Sequence, residues 1–104
     1  MRLSDTQIKA SLKELKSWKL QSPRISFDAE STTQESLYKE FRFKDFPSAM
    51  IFISKIAKIS EKLGHHPDFL LHDWNRLSIW ITTHSEKGIT ELDFNLAREI
   101  ERIK

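Results

Sequence analysis

Apolar residues recur at helical spacing in three segments of the chain. The first segment, residues 5–17, follows a capping box that begins at Ser4 and is closed against the core by Trp18. The second runs over residues 45–63, and the third follows Thr90, which caps it. The apolar positions that define the three helices are Ile8, Leu12, Leu15, Ala49, Phe52, Ile53, Ile56, Ile59, Leu63, Leu92, Leu96, Ile100 and Ile103.

Two pairs of extended segments separate the helices. Residues 19–27 and 37–43 are the first pair, with the polar stretch 28–36 as the loop between them. Residues 69–74 and 77–84 are expected to pair as a hairpin. Along the last strand, Leu77, Ile79 and Ile81 share one face and Ser78, Trp80, Thr82 and His84 share the other. The order α-β-β-α-β-β-α predicts one α+β domain over residues 1–104, a four-stranded antiparallel sheet with helices packed on one face.

The second helix carries more apolar surface than one core-facing stripe requires. Met50 and Ala57 widen its apolar stripe to about half of the circumference, beyond the ~100° of a surface helix. Ile51 lies on the opposite side. A well-buried helix in a monomer would explain the wide stripe but not Ile51. We therefore expect helix 45–63 to be shared with a partner subunit.

Composition narrows the class of protein. A length of 104 residues suits one domain with one core, and no apolar run is long enough for a membrane span. The N-terminus turns polar at once, so no signal peptide is visible, and the absence of cysteine is compatible with the cytoplasm. Basic and acidic residues are interleaved with a net charge of only +2, which argues against a nucleic-acid surface. We expect a cytoplasmic protein with neither membrane nor direct nucleic-acid contacts.

The clearest candidate for chemistry is the pair His65 and His66, which follows Gly64 at the end of helix 45–63. Imidazole can both donate and accept protons near neutral pH. Gly64 suits the left-handed conformation that ends a helix, and Pro67 prevents the helix from resuming. The alternative is that one histidine caps the helix while the other faces water. Either way, the pair is held in a short, constrained corner.

The predicted hairpin starts just after this corner and ends at His84. Its second strand runs back along the first, so His84 can lie beside His65 and His66. Three imidazoles at one corner predict an acid/base site. Zinc binding is the competing use, but neighbouring histidines point apart and no metal-binding spacing is present, so we expect no metal. His72 is expected to be an ordinary surface residue. Asp93 is the one carboxylate expected near the corner, although the spacing from Thr90 also fits a capping box.

Three motifs occur in order along the second half of the chain. They are Glu61-Lys62-Leu63-Gly64-His65-His66-Pro67-x-Phe69, Thr82-Thr83-His84, and Gly88-Ile89-Thr90-x-x-Asp93-x-x-Leu96-Ala97. With them, the chain resembles the pterin-4a-carbinolamine dehydratases, closely over residues 37–104 and loosely over residues 3–18. The resemblance also takes in Phe41-Arg42-Phe43-Lys44-Asp45-Phe46, ahead of the long helix.

The resemblance implies dehydration of a 4a-hydroxytetrahydropterin to quinonoid dihydropterin, a step of pterin cofactor recycling. It places the active-site histidines at His65, His66 and His84 and their acidic partner at Asp93. The further residues it implies for substrate binding are Pro67, Phe69, Thr83, Ser85 and Glu86. The reaction needs an acid for the departing hydroxyl and a base for the N5 proton, and neither a metal nor a cofactor. The expected assembly is a homodimer or homotetramer through helix 45–63.

Two features depart from the family pattern. The segment between Trp18 and Leu37 is longer and more polar than in typical members. The stretch between Pro67 and His84 is one residue longer, which is either a bulge or a longer turn. An uncompensated bulge would move His84 to the other face of the sheet.

A second hypothesis, from another class, is a non-catalytic binding protein. Animal members of the family also act as dimerisation cofactors for a transcription factor. Such a protein would use the apolar face of helix 45–63 and would not need the histidines.

Overall fold

The computed structural model describes residues 1–21 and 35–104. Within them lie α1 (Asp5–Glu14), β1 (Lys19–Gln21), β2 (Ser36–Arg42), α2 (Phe46–Leu63), β3 (Asp68–His72), β4 (Arg76–Ile81) and α3 (Glu91–Ile103). A short 3-10 helix, His84–Glu86, precedes α3. The predicted α+β class and the predicted order of elements are confirmed. The predictions for residues 22–34, part of a strand and most of a loop, lie outside the described residues.

The sheet is antiparallel with the strand order β1-β2-β4-β3. The β3–β4 ladder runs without interruption from Asp68 opposite Trp80 to His72 opposite Arg76. The three residues between the strands form the turn, and two of them, Asp73 and Trp74, have positive φ angles of 50° and 56°. The hairpin therefore contains no bulge, and any additional residue is accommodated in its turn.

The hydrophobic core lies between the sheet and the three helices. Its buried residues are contributed by all three helices, by β2 and β4, and by the segments that connect them: Ile8, Leu15, Trp18, Leu37, Phe41, Phe52, Ile56, Leu77, Ile79, Ile81, Ile89, Phe94, Leu96, Ala97 and Ile100. The alternation along β4 that the sequence predicts puts Leu77, Ile79 and Ile81 in this core. The helices pack on one face of the sheet, as expected from period-2 strands beside amphipathic helices.

The sequence-based boundaries needed correction at two places. The first helix ends at Glu14 rather than at residue 17, because the chain turns at Leu15 (φ −119°, ψ 64°). That turn buries both Leu15 and Trp18. The last strand ends at Ile81 rather than at residue 84, and His84 begins the 3-10 helix. The predicted hairpin strands otherwise agree with β3 and β4 to within about two residues.

The exposed residues of α2 match the pattern that the sequence indicates. Ala49, Phe52 and Ile56 are buried, whereas Met50 is 44% and Ile51 59% exposed. Apolar side chains are therefore left in water on the outer side of this helix. None of the helices in residues 1–21 and 35–104 combines the length and the hydropathy that a membrane crossing requires.

Candidate active site

The C-terminus of α2 fixes where the first histidine lies. Gly64 has a left-handed backbone (φ 64°, ψ 30°). Its N–H donates to the carbonyl of Glu61 at 3.4 Å, and the N–H of His65 donates to the carbonyl of Ser60 at 3.1 Å. These are the two hydrogen bonds of a Schellman motif, which satisfies the last carbonyls of a helix. The motif turns the chain back towards α2, so His65 leaves the helix in a defined direction.

His65 forms a hydrogen-bonded pair with Asp93 of α3. Its Nε2 lies 2.6 Å from Oδ1 of Asp93. The side chain of Asp93 is fully buried, and that of His65 is 11% exposed. A buried carboxylate needs partners, because desolvation of an unpaired charge is costly. The pair joins the ends of two helices that are distant in sequence.

The other carboxylate oxygen of Asp93 is held by two donors. Oδ2 accepts from the hydroxyl of Thr83 at 2.9 Å and from the backbone N–H of Thr90 at 2.7 Å. With His65, Asp93 thus has three hydrogen-bond partners. An ionised carboxylate accepts hydrogen bonds only, so this environment suits the ionised form.

The hydroxyl protons around Asp93 can be placed from the donor inventory. Thr83 donates its one hydroxyl proton to Asp93, so in its 2.8 Å contact with Thr90 it must be the acceptor. Thr90 therefore donates to Thr83, while its own oxygen accepts from the N–H of Leu92 at 3.2 Å. Every hydroxyl in this chain of hydrogen bonds has a defined direction. A network satisfied in this way is stiff, because no member can rotate without losing a bond.

Asp93 has two structural roles at once. Thr90 and Asp93 form a capping box that begins α3, as their spacing indicates. The same carboxylate also binds His65. The capping role, through Oδ2, places Asp93 in the first turn of α3. Because Asp93 is buried under the end of α2, its other oxygen, Oδ1, lies beside His65.

His66 points away from this buried pair. Its side chain is 62% exposed, and its Nε2 lies 2.5 Å from Oε2 of Glu61, which is 78% exposed. Glu61 is a partner of His66 that the sequence motifs did not predict. The signal was present in Gly64, because a Schellman turn brings the residues after it back beside the last helical turn.

His84 is exposed at the start of the 3-10 helix. The expectation that it shares a strand face with Ser78 and Trp80 is wrong, since β4 has ended at Ile81. Its neighbour Thr83 nevertheless bonds to Asp93, so the chain reaches the histidine corner just before His84. Within residues 1–21 and 35–104, no hydrogen bond joins His84 to His65 or His66.

The five residues expected to bind substrate fall into two groups. Pro67 and Phe69 follow the histidine pair, and Phe69 is 45% exposed in β3. Thr83, Ser85 and Glu86 line an open cleft of about 390 Å³, which Thr90 also lines. The cleft therefore lies against the hydroxyls that hold Asp93. The hydroxyl of Thr83 is directed to Asp93 rather than outward.

No cluster of three or more His, Asp or Glu side chains suited to a metal ion occurs in the described part of the chain. His72 lies away from the corner on β3, with Nε2 3.0 Å from the Ser78 hydroxyl. It is therefore a partly buried residue with a partner rather than a simple surface position.

Comparison with known proteins gives one consistent result. The family model described as pterin 4 alpha carbinolamine dehydratase matches residues 1–103. A relative from Sulfolobus acidocaldarius is 34% identical over 104 residues, with both chains covered completely. One from Brucella ovis is 34% identical over 102 residues, covering 98% of this chain and 94% of its own. Both carry the name "Putative pterin-4-alpha-carbinolamine dehydratase".

Two solved structures share the fold. A transcriptional coactivator/pterin dehydratase from Brucella melitensis superposes with a TM-score of 0.81 at 33% identity, covering 99% of this chain and 98% of its own. A pterin dehydratase-like protein, identified as a RuBisCO assembly factor of the alpha-carboxysome, superposes with a TM-score of 0.62 at 20% identity, covering 83% of this chain and 87% of that one. The second likeness shows the fold alone.

Proposed function

Because this chain belongs to the pterin-4a-carbinolamine dehydratase family, we propose that it dehydrates a 4a-hydroxytetrahydropterin to quinonoid dihydropterin. The C4a–O bond breaks, the proton on N5 leaves, and a C4a=N5 double bond forms. The hydroxyl departs with a proton as water, so there is no change of redox state. The catalyst must supply one proton donor and one proton acceptor.

The observation that carries this proposal is the His65–Asp93 pair. With an ionised Asp93, the proton of the pair lies on Nε2 of His65, because the carboxylate can only accept. The other ring nitrogen, Nδ1, is then the atom that can exchange a proton with substrate. A buried carboxylate behind an imidazole fixes its tautomer and its orientation, as in hydrolase triads. His65 is thus the best-supported proton-transfer residue.

His66 and His84 complete the proposed site. His66 shares proton transfer with His65, and Glu61 orients its ring. His84 orients the pterin or shares the role of base, from the segment that lines the cleft beside Thr83. Each positioned acid or base of this kind contributes about 10²–10⁴-fold. Binding of substrate by Pro67, Phe69, Thr83, Ser85 and Glu86 belongs to the same proposal.

The direct test is an assay for accelerated breakdown of an enzymatically generated 4a-carbinolamine. We expect the wild-type protein to accelerate it and His65→Ala to lose most of the acceleration. His72→Ala is the matched control, because His72 is a histidine outside the candidate site. If wild-type protein gives no acceleration above buffer, the proposed activity is refuted. We also propose that the protein acts in pterin cofactor recycling in the cytoplasm. That role requires a pterin-dependent hydroxylase in the same compartment.

A second candidate function is a non-catalytic binding protein. It is favoured by the exposed apolar residues of α2, among them Met50 and Ile51. The Brucella melitensis protein is also named a transcriptional coactivator. The same face would serve a homodimer or homotetramer, which we expect for the enzyme. Replacing both His65 and His66 with alanine separates the two functions, because a binding protein would keep its partner and an enzyme would lose dehydration.

A further inference from the structure

Residues 83–88, called segment 83–88 below, carry His84 and three residues that line the cleft, Thr83, Ser85 and Glu86. The segment is closed at its base, where Thr83 and Gly88 exchange backbone hydrogen bonds of 3.1 and 3.4 Å. Residues 84–87 between them are exposed. Lys87 has a left-handed backbone with φ 54°, a conformation that a non-glycine residue holds only when its surroundings impose it. Within the segment, Oε1 of Glu86 lies 2.6 Å from the N-terminal amine of Met1, and the remaining contacts that position the segment are made at its two ends.

The first end is held by the active-site network, and the second by Arg2. Thr83 is bound to Asp93 and Thr90 through its hydroxyl. At the other end, the side chain of Arg2 lies directly on Gly88. A Cβ atom at position 88 would come within 2.8 Å of Cδ and 3.0 Å of Cγ and Nε of Arg2. Position 88 accommodates Arg2 in this place because it lacks a side chain.

Arg2 is itself fixed by three acceptors. Its Nε donates to the carboxylate of Glu35, its Nη1 to the carbonyl of Leu3 at 2.7 Å, and its Nη2 to Asp5 at 3.1 Å. The Leu3 N–H also donates to the carbonyl of Ile89, immediately after the segment, at 2.8 Å. Each of the three guanidinium nitrogens of Arg2 thus makes a hydrogen bond, and a planar, pre-organised guanidinium loses little freedom for each bond that it forms. The contact over Gly88 is therefore rigid.

Glu35 connects the two ends of the segment. Its carbonyl accepts from the hydroxyl of Thr82 at 2.8 Å, just before the segment. Its carboxylate binds Arg2, which lies on Gly88 at the exit. We propose that Arg2 is a positioning residue that, with Glu35, holds segment 83–88 and with it His84 in the place that catalysis requires. This inference rests on the proposed function for its catalytic part only.

Amide hydrogen exchange of the full-length protein tests the holding role without substrate. We expect Arg2→Ala to speed exchange at the amides of Thr83 and Gly88 about tenfold or more, as the loss of a charge-assisted hydrogen bond predicts. Amides of α2 should keep their wild-type rates, which separates a local effect from global unfolding. Arg2→Lys should restore part of the protection. Arg102→Ala is the control, since it removes another arginine with a carboxylate partner, Glu99, from the surface.

A double substitution tests whether Arg2 acts through Gly88. Gly88→Ala displaces Arg2, so it should speed the same two amides. Adding Arg2→Ala should then have little further effect, because both changes break one contact. Full additivity of the two effects would refute the contact as the cause.

The rate of dehydration tests the catalytic part of the proposal. We expect Arg2→Ala to lower kcat/KM for dehydration about tenfold relative to Arg102→Ala, with Arg2→Lys between them. Unchanged exchange at Thr83 and Gly88 in Arg2→Ala would overturn the proposal. So would faster exchange with kcat/KM equal to that of the control. A wild-type protein without dehydration would refute the proposed function instead, while the exchange data would still decide whether Arg2 holds the segment.

Discussion

Nε2 of His65 lies 2.6 Å from Oδ1 of Asp93, although the two residues are 28 positions apart. The contact joins the second residue after the end of α2 to the first turn of α3, and it is almost completely buried. It is the point at which the packing of the fold and the proposed chemistry depend on the same two side chains.

Asp93→Asn should separate orientation from stability. Asparagine preserves the shape but can present an N–H to His65, which disfavours the tautomer needed for proton transfer. We expect kcat to fall at least about 10²-fold while the protein remains folded. Asp93→Ala should in addition lower the free energy of unfolding by about 3–5 kcal/mol, because it leaves buried partners of the carboxylate unpaired.

Carbinolamine breakdown and chemical denaturation measure the two quantities on the same samples. Glu14→Gln is a suitable control, since it alters an exposed carboxylate in α1, outside the candidate site. Wild-type kcat in Asp93→Asn would contradict the assignment of this pair to catalysis.

Gly64→Ala should destabilise the protein through its backbone alone. Gly64 has φ 64°, and a Cβ added there would meet nothing within 4 Å. The cost is therefore that of the left-handed conformation, about 1–2 kcal/mol for an L-residue with a side chain. Gly64→Asn should cost less, because asparagine tolerates this conformation better. Guanidinium denaturation measures both values, and equal stability of all three proteins would contradict the Schellman closure.

Glu101 should make the stability of the protein depend on pH in the acid range. Burial opposes its ionisation, but hydrogen bonds from Lys39, Trp18 and Ser17 outweigh that effect and lower its pKa below the usual 4.5. The stabilisation is therefore complete above about pH 4.5 and is lost as the pH falls through the lower folded-state pKa.

Glu101→Gln tests this dependence. The substitution removes the ionisable partner of Lys39, so the unfolding free energy should decrease near neutral pH by about 1–3 kcal/mol. Its decline below pH 4.5 should be shallower than in the wild-type protein. Thermal or urea denaturation between pH 3 and pH 7 measures both curves, and parallel curves would show that Glu101 does not contribute to the pH dependence.

Ile51→Glu should disrupt self-association through α2. Ile51 is 59% exposed, so a carboxylate there should leave the monomer fold intact but disfavour an apolar interface. We expect a decrease in mass by light scattering, from dimer or tetramer to monomer. Trp74→Glu is matched in exposure, at 62%, and lies on the hairpin turn. Loss of association in Trp74→Glu but not in Ile51→Glu would place the interface elsewhere.

Features that depend on neighbouring residues could be predicted from the sequence. Asp45, the first residue of the predicted segment 45–63, caps α2, with its carboxylate accepting from the Ser48 N–H at 2.8 Å. Gly64 ends the helix in the left-handed conformation, as its type and position indicated. These are short-range effects, because capping and helix termination involve atoms within about one turn of each other. The class and order of elements followed from the same local periodicities.

Features that depend on packing between distant elements required the tertiary structure. The sequence placed His84 on a strand face by continuing a period of two past Ile81, where the ladder with β2 in fact ends. The sequence predicted that Asp93 lies near the histidines but not whether it contacts His65 or His66. The two residues are adjacent in the chain and differ only in the direction in which their side chains point. That direction is set by the Schellman turn together with the burial of Asp93 under α2. The local sequence thus determined where the helices begin and end, whereas contacts between the helix ends decided which histidine meets the carboxylate.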